Sequence, residues 1–147
     1  MFYMNHFLGI WKLDKKKSEG LSNILKILKY TSVERQAILN TKLKIDIKYD
    51  HNKKILSIKT ITLFKNLLKM HSLDNQIRTF KDESGGIIYE KCYLINDSDG
   101  MCVEMDYKKD KMYVTDKRTI KDGYIIQEIE AVIDEKDTHR AIMIYCR

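Results

Sequence analysis

The sequence predicts a mainly β protein: a ten-stranded antiparallel up-and-down β-barrel with a two-helix lid inserted after the first strand. Three observations support this prediction. An apolar run with a glycine and a tryptophan occupies residues 7–13, a short stretch of helical periodicity follows, and from Lys42 onward apolar residues recur at every second position. Because ten consecutive strands leave exposed sheet edges unless the sheet closes, a barrel is the favoured architecture.

The composition indicates one domain, residues 1–147. A chain of 147 residues can bury about two thirds of the surface that its unfolded form exposes, and a sequence with no proline and six glycines contains no segment typical of a linker. The three cysteines form no Cys-x-x-Cys pair and are odd in number, which favours a reducing setting over a secreted disulfide framework. No signal-peptide pattern is visible, so we expect a cytoplasmic protein.

The first element is the run at residues 7–13, which predicts a strand. Gly9 has no side chain, so the backbone there can bend sharply or lie close to another strand. Trp11 supplies the large apolar side chain needed to plug one end of a small β-structure. We therefore expect this strand to form the closed end of the barrel.

Two short helices are predicted next. Residues 18–29 place four apolar side chains on one stripe at helical spacing: Leu21, Ile24, Leu25 and Leu28. Thr31 and Glu34 have the spacing of a capping box, which opens a second helix that runs to about Asn40. The pair is predicted to form a compact helical hairpin.

Strands fill the rest of the chain. Residues 42–49 alternate strictly between charged or polar and apolar side chains, as a half-buried strand does. Turn pairs such as Asp99-Gly100 and Asp122-Gly123 separate the later strands. The further strands are predicted at residues 53–63, 67–73, 77–81, 86–96, 101–108, 111–120, 124–133 and 139–147.

At this point the chain resembles a known family. The order of elements and several short runs are similar to the intracellular lipid-binding proteins, that is, the cytosolic fatty-acid-binding and retinoid-binding proteins of the calycin group. The resemblance extends from Phe7 to Tyr145, and the local matches are residues 7–13, Arg35 in the second helix, and the Phe64-Lys65-Asn66 turn that borders the portal. It implies a flattened barrel around a cavity, in which a buried arginine, a second arginine and a tyrosine hold the carboxylate of an acyl chain.

The resemblance places the first arginine at Arg118. Alternation supports an inward position, because Arg118 shares one strand face with Met112, Val114 and Ile120. An ordinary exposed sheet arginine is the alternative. Asp116 lies on the same face, two residues earlier, where it can form an internal ion pair with Arg118.

The C-terminal strand keeps only half of the expected pattern. The tyrosine falls on Tyr145, whereas Met143 stands where the resemblance implies the second arginine. Either face of this strand could be the inner one, since Ile142 and Ile144 are also apolar. With one cation missing, a neutral or weakly polar amphiphile is as credible a ligand as a free fatty acid. The candidate ligand-binding residues are Arg118, Tyr145, Met143, Phe64 and Asp116.

The function predicted on this basis is a non-enzymatic, monomeric carrier of a long-chain fatty acid or related hydrophobic lipid, with no cofactor, no metal and no nucleic-acid partner. The four histidines lack metal-ligand spacing, and no serine or cysteine lies in a nucleophile motif. The alternative is an interaction module whose net charge of +6 attracts an acidic protein or nucleic acid. Its barrel would be filled by large side chains, with Tyr89, Tyr93, Met101, Met105 and Tyr107 as candidates.

A transient contact with anionic membranes is also predicted. Five lysines lie in or near the first helix, and such an arrangement favours electrostatic docking: Lys15, Lys16, Lys17, Lys26 and Lys29. The alternative is a lid helix that only covers the barrel, with its lysines in solvent.

Overall fold

We describe the protein from a computed structural model, over residues 4–63, 66–82, 84–95 and 100–147. A 3-10 turn at Met4–His6 precedes the first strand. Helices α1 (Leu21–Ile27) and α2 (Ser32–Asn40) follow that strand. The ten strands are β1 (Gly9–Glu19), β2 (Lys44–Asp50), β3 (Ile55–Ile61), β4 (Asn66–Ser72), β5 (Arg78–Lys81), β6 (Ile87–Ile95), β7 (Gly100–Tyr107), β8 (Met112–Lys121), β9 (Tyr124–Ile133) and β10 (Asp137–Cys146).

All ten strands belong to one antiparallel sheet, in the order β4-β3-β2-β1-β10-β9-β8-β7-β6-β5. The first strand pairs with the last, so the meander curls round on itself, as the alternating sequence predicts. Within the described residues no ladder joins the two edge strands, β4 and β5. His71 on β4 instead contacts Glu90 on β6, with 2.8 Å between His71 Nδ1 and Glu90 Oε1. The barrel therefore has one gap, spanned by side chains.

The junction between β1 and α1 differs from the prediction. Residues 18 and 19 belong to the strand, because the Ser18 hydroxyl donates to Asp14 O and accepts from the Ile144 amide, at 2.7 and 3.0 Å. These bonds bridge a bulge in the β1–β10 register between Asp14 and Glu19. The helix starts only after Gly20, so it is shorter than residues 18–29.

Helix α2 is fixed at both ends. Its N-terminus has the predicted capping box: Thr31 Oγ1 accepts from the Glu34 amide, and Glu34 Oε1 accepts from the Thr31 amide, each at 3.1 Å. At its C-terminus Lys15 Nζ donates to the carbonyl oxygens of Leu39 and Thr41, at 2.7 and 2.5 Å. The ammonium thus satisfies carbonyls that the helix leaves unpaired.

Trp11, near the start of β1, is buried in the core, and its predicted place at a closed end of the barrel remains a prediction. Its side chain is 2% exposed, and its indole Nε1 donates to Phe7 O at 2.9 Å. Gly9 has a φ of +101°, a conformation that few other residues adopt. The Arg147 guanidinium lies 4.1 Å from the Trp11 ring centroid and donates to Leu8 O and His6 O, at 3.0 and 3.2 Å.

Alternate residues of the strands form the core beneath the helices. Ile45 and Ile47 of β2 point inward at 1% exposure each, whereas Lys44 and Lys48 are exposed. Among the described residues, no helix has both the length and the apolar character that crossing a membrane requires.

Candidate functional site

A cavity of about 520 Å³ lies between the helices and the inner face of the sheet. Its walls are mainly apolar, and both layers contribute side chains to them: Ile24, Leu28 and Ile38 from the helices, and Ile58, Val114 and Ile129 from the sheet. A largely apolar enclosure of this size is typical of a small-molecule site.

Arg118 points into this cavity from β8. Met112 and Val114 on the same face are 2% and 0% exposed, which confirms the strand alternation. The Arg118 side chain is 11% exposed, and its Nη2 lies 4.0 Å from Asp116 Oδ2, so the expected internal ion pair is present. Its Nε is buried and has no hydrogen-bond partner among the described residues. The site therefore offers a donor aimed at no protein group.

A chain of hydrogen bonds runs from Asp116 to Tyr145. Gln127 Nε2 donates to both carboxylate oxygens of Asp116, at 3.0 Å each, and Gln127 Oε1 accepts from the Tyr145 hydroxyl at 2.8 Å. This direction follows from the chemistry, since an ionised carboxylate only accepts and must face the amide nitrogen. Tyr145 thus orients Gln127, which in turn holds Asp116 beside Arg118.

Burial raises the pKa of Tyr145 well above its ordinary value; Arg118 opposes this shift and Asp116 reinforces it. The hydroxyl stays protonated at neutral pH and remains a donor to Gln127. Met143, 7% exposed, lines the cavity beside it and carries no charge. Ile142 is 39% exposed on the other side, so the inner face of β10 is the one that bears Met143 and Tyr145.

Phe64, the remaining candidate, lies outside the described residues. Its neighbour Asn66 is exposed at the start of β4. The structure thus brings together four of the five candidates: Arg118, Asp116, Met143 and Tyr145 all line one cavity. Their role as ligand contacts remains a prediction.

The polar residues of the cavity wall that were not foreseen include four from the strands, Lys69, His71, Glu90 and Gln127. In an alternating strand a polar residue normally faces solvent, so each of them would be assigned to the outer face. On β4 the apolar residues Leu68 and Met70 are 61% and 58% exposed, while the polar His71 is only 8% exposed. The pairing of β4 with β3 decides which of its side chains face inward. The sequence of β4 alone does not reveal that pairing.

The large side chains proposed to fill the barrel are divided between its two faces. Tyr89 is 37% exposed and lines a groove on the outer surface, and Tyr93 alternates with the core residue Cys92 and so faces outward too. Met105 and Tyr107 line the cavity, and Met101 is buried. These residues leave the cavity open, which disfavours the side-chain-filled alternative.

The five lysines considered for membrane contact have different surroundings. Lys15 caps α2, Lys17 Nζ lies 3.3 Å from the Tyr124 hydroxyl, and Lys29 Nζ lies 2.5 Å from Asp110 Oδ1. Lys16 and Lys26 are exposed. Only Lys26 belongs to α1, because residues 15–17 are part of β1. Membrane contact remains a prediction.

Within the part of the chain that the structure describes, no three histidine, cysteine or acidic side chains are grouped closely enough to hold a metal ion.

Known protein families and curated proteins offer no sequence match to this chain. Solved structures do resemble it. Lipid binding protein 8 of Caenorhabditis elegans has a TM-score of 0.77 at 17% identity, with 100% of this chain and 99% of that one covered. The REP1-NXSQ fatty acid transporter has a TM-score of 0.72 at 22% identity, covering 97% of this chain and 96% of that one.

A third similar structure is the Schistosoma mansoni fatty acid binding protein in complex with arachidonic acid. Its TM-score is 0.68 at 19% identity, and 98% of this chain and 97% of that one are covered. The chain has the fold of the fatty-acid-binding proteins. Because each similarity covers nearly the whole of both chains, the fatty-acid-binding-protein fold accounts for all ten strands and both helices.

Proposed function

We propose that the protein is a non-enzymatic carrier that binds a long-chain fatty acid or a related hydrophobic lipid in the cavity. The observation that supports this most directly is the combination of a largely apolar cavity of about 520 Å³ with Arg118, whose buried Nε has no hydrogen-bond partner among the described residues. An amphiphile satisfies both features, because its chain covers the apolar wall and its head accepts from Arg118.

The apolar wall provides most of the binding free energy in this proposal. Burying about a dozen methylenes at ~0.8 kcal/mol each yields roughly 10 kcal/mol, and association together with chain ordering offsets a large part of it. Micromolar affinity or better remains. Arg118 then selects among lipids by their heads, with Asp116 and Tyr145 holding the polar end of the cavity in place.

The first test is displacement of a fluorescent fatty-acid analogue from delipidated protein. We expect long-chain fatty acids to displace it, and Arg118→Met to weaken fatty-acid binding about tenfold or more, since a charge-assisted contact is lost. Arg140→Met is the matched control, because Arg140 pairs with Glu130 on the outer face and is 72% exposed. A folded, delipidated sample that binds no displaceable apolar ligand would refute the proposal.

We further propose that the carrier acts as a monomer in the cytoplasm. All three cysteines, Cys92, Cys102 and Cys146, are free thiols, a state suited to a reducing compartment. Burial raises the pKa of both Cys92 and Cys102, so these thiols are unreactive near neutral pH. Delivery to anionic membranes through exposed lysines such as Lys26 remains part of this proposal, and unequal transfer rates to anionic and zwitterionic vesicles would support it.

A further inference from the structure

Lys69 is a cation on the inner wall of the sheet. In the β3–β4 ladder it is the partner of Ile58, which is 4% exposed in the core, and paired residues of two strands point to the same face. The Lys69 side chain lines the cavity, with its Nζ 5.9 Å from the centroid of the Tyr30 ring. This lysine is therefore available to a bound ligand.

The other charged groups of the cavity wall already have partners. Lys29 pairs with Asp110, and Glu34 belongs to the capping box of α2. The remaining charged residues form two pairs: His71 with Glu90, and Arg118 with Asp116. Lys69 has no carboxylate within 4.0 Å among the described residues, although Asp116 and Arg118 are near enough to interact with it electrostatically.

We propose that Lys69 and Arg118 together bind the head of the ligand, and that this head carries a single negative charge. The inference rests on the proposed function and specifies its ligand class. Five strands separate β4 from β8 in the sheet, so the two cations approach the head from different walls. Lys69 thereby supplies the second cation that Met143 does not provide.

The charge count favours a monoanion. The charged groups that interact with Lys69 are Asp116 and Arg118, whereas Glu34 and Glu90 on the same wall are engaged by the α2 capping box and by His71. At the proposed head position, Lys69 and Arg118 contribute two positive charges and Asp116 one negative charge, which leaves one positive charge for the ligand to neutralise. A carboxylate does this. A phosphate monoester, with a charge of about −1.5 to −2 near neutral pH, leaves excess negative charge in a desolvated site, which is costly.

The surroundings of the Lys69 ammonium support this assignment. Lys69 is exposed on the edge strand β4, and its ammonium has no carboxylate in contact among the described residues, so an anion bound beside it gains a charge-assisted contact that the protein does not already supply. Tyr30 raises the pKa of Lys69, against the opposing effect of burial, so the amine is protonated at neutral pH. The charge needed for anion binding is therefore present.

The test compares three ligands with the same chain: oleate, oleyl alcohol and oleyl phosphate, each displacing a fluorescent fatty-acid analogue. We expect Lys69→Met to weaken oleate binding about tenfold or more while changing oleyl alcohol binding less than about twofold. The matched control is Lys59→Met on the neighbouring strand. Lys59 is exposed and pairs with the outward-facing Leu68, so its replacement should change neither affinity.

Asp116→Asn tests the charge count independently. It removes one negative charge from the site and keeps an oxygen that accepts from Gln127. We therefore expect the affinity for oleyl phosphate to increase about tenfold relative to the affinity for oleate. Circular dichroism of each variant checks its folding.

Two results would overturn the inference: an oleate affinity that Lys69→Met leaves unchanged, or equal losses for oleate and oleyl alcohol, which would indicate packing alone. If none of the three lipids displaces the analogue from the wild-type protein, the proposed carrier function itself fails.

Discussion

Arg147 illustrates how much one residue contributes to the surroundings of Trp11. Its guanidinium stacks on Trp11 and donates to two backbone carbonyls of the segment before β1. A cation–π contact and two hydrogen bonds each contribute roughly 0.5–1 kcal/mol at a partly exposed site. We therefore expect Arg147→Ala to lower the free energy of unfolding by about 1.5–3 kcal/mol.

Urea unfolding followed by tryptophan fluorescence measures this loss, since Trp11 is the one tryptophan of the chain. Arg140→Ala is the control. It removes an exposed ion pair with Glu130, for which we expect a change within about 0.5 kcal/mol. Equal losses in the two variants would show that the Trp11 contact contributes nothing specific.

At the scale of elements, the junction of β1 and α1 depends on Gly20. Its φ is +75°, and a Cβ atom at this position would lie 2.4 Å from the backbone oxygen of Arg140 on β10. An alanine would be strained in its backbone and would also push β10 away. We expect Gly20→Ala to lower the free energy of unfolding and to weaken the proposed lipid binding, because α1 contributes to the cavity wall.

Gly123→Ala separates the two effects. Gly123 has a φ of +80° but no heavy atom within 4 Å of an added Cβ. Its replacement by alanine therefore costs only the strain of a left-handed backbone, about 1–2 kcal/mol. Gly20→Ala should cost at least about 1 kcal/mol more than this in urea unfolding. If Gly20→Ala lowers the free energy of unfolding no more than Gly123→Ala does, β10 moves away from the added Cβ with no measurable loss of stability.

For the whole molecule, tyrosines whose pKa is raised in the folded state contribute to the response to alkaline pH. Burial raises the pKa of Tyr145 and Tyr107, and burial with a bond from Tyr113 to Glu104 raises the pKa of Tyr113 to about 12. The unfolded chain releases these protons near pH 10.0, whereas the folded chain retains them. The unfolded state then binds fewer protons, so the free energy of unfolding falls as pH rises above about 10.

Urea unfolding at a series of alkaline pH values measures this slope. Tyr145→Phe removes one of the groups, so its slope above about pH 10 should be shallower than that of the wild type, even if its stability at neutral pH is lower. An identical slope in the variant would show that Tyr145 ionises as readily in the folded protein as in the unfolded chain.

Local patterns predicted most of this fold. The alternation in β8 placed Arg118 inside, and the Thr31 and Glu34 pair marked the start of α2, because both signals involve residues only a few positions apart. Lys69 and Gln127 carry no such signal. Each is a polar residue whose inward position follows from pairing with another strand, so their part in the site emerged only from the assembled sheet.

The unpaired edges of β4 and β5 have a consequence for solubility. An open sheet edge presents backbone donors and acceptors that can recruit a strand from another chain. Here β5 has only four residues, all exposed, with Arg78 and Lys81 at its ends. A short edge strand with charged ends is a poor template for such recruitment. On the β5 side, the gap between the two edge strands is therefore a poor site for pairing with another chain.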